Sequence, residues 1–151
     1  MGYSNIVVGT DGSATAERAV DHAAALAVAD GARVIVVTAF SSAVTGAGVG
    51  LSDEGIPDDL RFVLSGSVQA ETLAERGRRR LKDAGVNRVV LQAIEGDPSS
   101  VLLEAARDFD ADLIVVGSKG LTSAAHFILG SVASSVSHHA PCDVLIAHTS
   151  D

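Results

Sequence analysis

Five short runs of aliphatic, mostly β-branched residues punctuate this chain, and the stretches between them repeat apolar residues at helical spacing. Arg33–Ala39 reads R-V-I-V-V-T-A, apolar without alternation, as a strand covered on both faces requires. Asn5–Thr10, Arg88–Ile94, Asp112–Val116 and Asp143–His148 have the same character. After the first run, Ala16, Ala19, Val20, Ala23, Ala24 and Ala27 recur on one side of Ala14–Ala29, with Glu17, Arg18 and Asp21 opposite. Ser13 suits the N-cap of that helix and Gly31 its end. A second helix fits Ser67–Ala84 before Gly85, and a third starts at Asp97-Pro98 and buries Val101, Leu102, Ala105, Ala106 and Phe109. A fourth opens at Ser131. Strands alternating with about four helices predict a single α/β domain over residues 1–151, an open, doubly wound, Rossmann-like parallel sheet of five strands.

Composition narrows the function classes. Hydrophobic residues make up 47% of the chain and aromatics only 3%, so the core is expected from Val, Ile, Leu and Ala. A formal net charge of −8 argues against nucleic acid as a partner. The single cysteine, Cys142, offers neither a disulfide framework nor a metal quartet. No run has the length of a membrane span and the first residues lack a signal-peptide pattern, which points to a cytoplasmic protein without membrane attachment. Arg76, Arg78, Arg79, Arg80 and Lys82 crowd the second helix and read as a solvated helix end whose cations offset the helix dipole. Residues 40–66, rich in Gly and Ser, break the pattern and read as a long flexible surface loop with a short helix near Asp58–Leu64. The histidines His126, His138, His139 and His148 lack a matched ligand set and read as surface or interface residues, His22 and Cys142 as packing residues.

The chemistry concentrates where the fourth run stops. Gly117 ends it, Gly120 follows, and Gly130-Ser131 opens the next helix. Glycines allow a sharp turn and close approach of backbone N–H groups, and a helix start adds free N–H groups with a positive dipole end. Those groups suit phosphate oxygens, with Ser118 and Ser131 hydroxyls and the Lys119 charge in support. The pattern is neither a Walker loop nor the dinucleotide fingerprint. The first run ends in T-D-G-S. If the first and fourth strands flank the point where strand order reverses, Asp11 faces the Gly117 turn across one crevice. Its carboxylate suits ribose hydroxyls, or a metal bridging phosphates, and the end of the second run near Thr38 and Ala39 suits a flat base.

Gly117, Gly120, Gly130 and Ser131, spaced G-x2-G-x9-G-S, resemble the ATP-binding pattern of the universal stress protein family. The resemblance extends over the whole chain through I-V-V-G-T-D-G-S, A-D-L-I-V-V-G-S-K-G, L-G-S-V-A and A-P-C-D-V-L-I-A. It implies strand order 3-2-1-4-5 with ATP between strands one and four, and homodimers commonly paired through the last strand, here about 143–148. It places Thr10 and Asp11 at ribose and base, Ala39 at the base, Val116, Gly117, Lys119 and Gly120 along phosphates and sugar, and Gly130, Ser131, Val132 and Ala133 at the phosphates. Ala133 departs from the Ser or Thr that many ATP-binding relatives carry, which removes one hydroxyl.

Rival classes are disfavoured. A phospho-acceptor receiver needs clustered acids after the first strand, a flavodoxin needs aromatics to sandwich its flavin, and an ATP-cleaving ligase needs paired glycines in its first loop. The crevice contains no activated nucleophile or acid–base pair, so no catalytic residue is assigned. The expected function is a nucleotide-dependent switch in stress response or signalling that binds ATP, with Mg, and acts through an unknown protein partner. The alternatives are slow ATP hydrolysis with Asp11 holding the metal, binding of cyclic AMP or AMP, and a stress scaffold without nucleotide.

Overall fold

The computed structural model describes residues 2–40, 66–118 and 130–148. They form β1 (Asn5–Gly9), α1 (Ala14–Asp30), β2 (Arg33–Phe40), α2 (Gly66–Asp83), β3 (Val89–Glu95), α3 (Pro98–Asp108), β4 (Leu113–Gly117), α4 (Ser131–His139) and β5 (Asp143–Ala147). All pairings are parallel and the order is β3-β2-β1-β4-β5, as the resemblance implies. The expected short helix near Asp58–Leu64 and the loop between Phe40 and Gly66 lie outside the described residues.

Side-chain alternation along the strands divides the core in two. Ile6, Val8, Val34, Val36, Leu113 and Val115 face α1 and α2, where Ala19, Val20, Ala23, Ala27, Ala74 and Leu81 meet them. Val7, Ile35, Val37, Ile114 and Val116 face α3 and α4, meeting Val101, Leu102, Ala105, Ala106, Ala133 and Val136. The alanine face of α1 lets its backbone lie close to the sheet, which explains a core almost without aromatics. Burying a Val or Ile side chain is worth roughly 1.5–3 kcal/mol, so these two layers dominate the stability.

Caps fix the helix ends. The Ser13 hydroxyl accepts from Ala16 N–H at 3.1 Å, and Gly31 closes α1 in the left-handed region at φ 70°. Asp97 accepts from Ser100 N–H at 3.1 Å and from the Ser99 hydroxyl at 2.7 Å, with Pro98 opening α3. At the amino edge of the sheet the Asp112 carboxylate accepts from Ser4 N–H (2.9 Å) and Asn5 N–H (3.0 Å). The Tyr3 hydroxyl donates to Asp143 at 2.9 Å and so ties the first residues to the last strand.

The arginine row is engaged with carboxylates. Arg80 donates twice to Asp21 of α1, at 2.6 and 3.0 Å, which raises the guanidinium pKa and lowers that of the carboxyl. Arg76 lies 3.6 Å from Glu17, and Arg78 and Arg79 pair with Glu75 of their own helix. The row thus ties α2 to α1, and the solvated-end reading extends to a helix–helix link.

Candidate functional site

The chain winds outward from β1 to β2 and β3, then returns to lay β4 against the other side of β1. The order therefore reverses between β1 and β4, and their carboxyl ends lie side by side, Val8 opposite Val115. Such a switch point is where open α/β sheets hold ligands.

The β1 side of the crevice is a tight turn. Thr10 N–H donates to Val37 O at 3.0 Å, carrying the backbone one residue past the strand. Asp11 Oδ1 then accepts from Ser13 N–H at 2.9 Å, while Gly12 between them stands at φ 85°. That bond fixes the exposed Asp11 side chain and leaves its second carboxylate oxygen for an outside donor. The β2 neighbour contributes the half-buried Ala39 at its end. Just before it, the Thr38 hydroxyl is buried without a hydrogen-bond partner, at a cost of roughly 1–3 kcal/mol.

The β4 side holds the start of α4. Ser118 N–H donates to Ala147 O at 2.8 Å, and Ser118 O accepts from Gly130 N–H at 2.7 Å. These two bonds moor the N-cap Gly130 beside the end of β4, although residues 119–129 intervene in sequence. Gly130 has extended backbone (φ −65°, ψ 163°) and no side chain to cap the helix. The first helical bond runs from Ser134 N–H to Gly130 O at 3.0 Å. Helix geometry leaves the N–H groups of Ser131, Val132 and Ala133 without intrahelical acceptors. Three donors and the positive end of the helix dipole thus meet at one point.

Gly117 is required for a reason other than its turn. A β carbon there would stand 3.0 Å from the carbonyl carbon of Thr15 and 2.8 Å from its Cγ2, so β4 ends against the first turn of α1. Gly9 does the same beneath the Leu102 methyls, at 3.1 Å. The glycines bring the two strand ends and their helices together; the donors come from α4.

Thr10 and Asp11 just past β1, Val116 and Gly117 at the end of β4, and Gly130, Ser131, Val132 and Ala133 at the start of α4 thus lie at the carboxyl edge of the sheet, with Ala39 a strand away. Lys119 and Gly120 lie outside the described residues, as does His126. His22 is exposed on α1 and does not pack: the alanine stripe beside it fills that face. His138 and His139 sit at the far end of α4, each ring bonded to a serine carbonyl at 2.9 Å. Cys142 is half-buried, and desolvation followed by Asp143 and Asp112 pushes its thiol pKa up. Among the described residues no group of three or more His, Cys, Asp or Glu is placed to hold a metal, and no helix is long and apolar enough to cross a membrane. Sequence reasoning missed the contacts of Thr15 with Gly117 and of Leu73 with Gly12; the only sequence signal was the glycine itself in each case.

Known proteins are similar to this chain over its whole length. Residues 2–148 match the universal stress protein family. A universal stress protein of Mycobacterium tuberculosis is 37% identical over 147 residues, covering 97% of both chains. The solved structure of a universal stress protein in complex with cAMP is similar at TM-score 0.75 and 33% identity, covering 99% of this chain and 100% of that one. The universal stress protein from Archaeoglobus fulgidus in complex with dAMP is similar at TM-score 0.67 and 25% identity, covering 97% and 99%.

Proposed function

The chain belongs to the universal stress protein family, and from that premise we propose that the crevice between β1 and β4 binds an adenine nucleotide and acts as a ligand-dependent switch. The observation that carries the reading is the uncapped start of α4, moored through Ser118 at the strand-order reversal. Its N–H groups at Ser131, Val132 and Ala133 receive phosphate oxygens, and Gly130 lets the ligand approach the backbone. Asp11 accepts from ribose hydroxyls through its free oxygen, with Thr10 beside it, and Ala39 borders the base. Val116 and Gly117 line the floor, and Lys119 and Gly120 complete the phosphate side.

The cAMP and dAMP complexes of similar proteins support adenine as the base and leave the phosphate number open. ATP with Mg is the ligand we assign, Asp11 being the carboxylate able to reach a bridging metal; cyclic AMP or AMP is the second reading. Hydrolysis is slow at most, since among the described residues no acid–base pair adjoins the phosphate end. A homodimer through β5, whose Val144, Leu145 and Ile146 are half-buried, and a cytoplasmic location complete the proposal.

Calorimetric titration with MgATP, AMP and cyclic AMP tests it. Micromolar binding that Asp11→Asn weakens supports the site. Absence of binding by all three makes the crevice a structural feature and the protein a scaffold.

A further inference from the structure

From the contact between α2 and the turn that carries Asp11, we infer that Leu73 is a positioning residue for the adenylate site, an inference that rests on the reading above. The β carbon that Gly12 lacks would stand 3.0 Å from Leu73 Cδ2 and 3.8 Å from Cδ1. Leu73 therefore packs on the middle of a three-residue turn whose ends, Asp11 and Ser13, are joined by a 2.9 Å hydrogen bond. Gly12 is the one residue of that turn at positive φ, 85°, and a glycine has many other conformations to visit. The leucine crowds Gly12 and so limits them.

Two further contacts hold α2 against this part of the molecule. At Gly77, one turn further along α2, a β carbon would lie 3.1 Å from Val36 Cγ1 and 4.0 Å from Thr10 Cγ2, so the helix backbone rests close to β2 and to Thr10. Arg80 grips Asp21 of α1 through two hydrogen bonds. The helix is thereby anchored to the sheet and to α1, and Leu73 transmits that anchorage to Gly12. A turn already held in place does not lose freedom again when a ligand binds, and affinity rises accordingly. Nothing in the reading of the crevice itself uses Leu73, which belongs to a different helix.

Affinity for AMP, ATP and cyclic AMP is to be measured by calorimetry on the wild type, Leu73→Ala, Leu73→Met and Leu81→Val, with the melting temperature of each. Leu73→Ala is expected to bind roughly tenfold more weakly. Leu73→Met refills the volume and recovers most of the affinity. Leu81→Val trims a fully buried side chain of the same helix, and should lower the melting temperature with affinity unchanged. Leu73→Ala that loses melting temperature but binds like the wild type overturns the inference and leaves the site standing. A wild type that binds none of the three overturns both.

Discussion

Helices α3 and α4 pack on the same face of the sheet and both start at its carboxyl edge, yet their first turns are built in opposite ways. At α3, Asp97 turns its carboxylate onto Ser100 N–H and the Ser99 hydroxyl, and Pro98 removes one donor that would otherwise be free. At α4, glycine occupies the cap and makes no side-chain cap, and no side chain among the described residues is bonded to the free donors. A helix that only covers the sheet gains about 1 kcal/mol by closing its own end. Forgoing that gain at the strand-order reversal, where the other described helix on this face takes it, fits an end reserved for a ligand's oxygens.

Making α4 resemble α3 is the sharpest way to break the comparison. Gly130→Asp places a carboxylate at backbone angles an N-cap aspartate favours. The new charge occupies the donors and repels phosphate, and nucleotide affinity measured by calorimetry should fall by about 100-fold or more. Binding that survives would mean that α4 does not hold the phosphates. Next in size is Gly117→Ala, which pushes a methyl against the Thr15 backbone at 3.0 Å. Overpacking of this kind should cost about 2 kcal/mol in urea unfolding, because the obstacle is main chain that cannot rotate away.

The reverse change, Asp97→Ala, opens α3. It should remove about 1 kcal/mol, a fall of about 3 °C in melting temperature, and leave nucleotide affinity unaltered. This effect depends on pH in a defined direction. The Ser99 hydroxyl, then Ser100 N–H, holds the Asp97 carboxyl below its ordinary value of 3.8. A carboxyl with depressed folded pKa stabilises the fold above the unfolded value and loses that contribution as pH falls through the folded one. The gap between wild type and Asp97→Ala should therefore be full near neutrality and close at pH below 3.8. Smallest of all, Gly130→Asp without ligand should gain a few tenths of a kcal/mol, the usual difference between Gly and Asp at a cap.

Much of this was legible in the sequence because the signals are local. Continuous β-branched runs marked the strands to within a residue or so, and Ser13, Asp97-Pro98 and Gly130-Ser131 marked the helix starts where they occur. What escaped depends on residues far apart in the chain. Asp21 and Arg80 meet across 59 residues, and nothing in either neighbourhood announces the pairing. Gly117 carries a turn signal whichever reason requires it; only the packing of Thr15 identifies the reason. His22 misled because it precedes Ala23 of the apolar stripe by a single step of about 100° and so lies off the buried face.

The sheet's connectivity also constrains the order in which the molecule can be completed. β1 lies in the middle, with β2 on one side and β4 on the other. Its start is clasped by Asp112, 107 residues further on than Asn5, and Tyr3 reaches Asp143 across 140 residues. During synthesis β1 emerges first, pairs with β2 early, and waits with its second edge bare until β4 has been made. The strand that ends most deeply enclosed is thus the one exposed longest, and ribosome-bound chains shorter than about Gly117 should present that edge to chaperones.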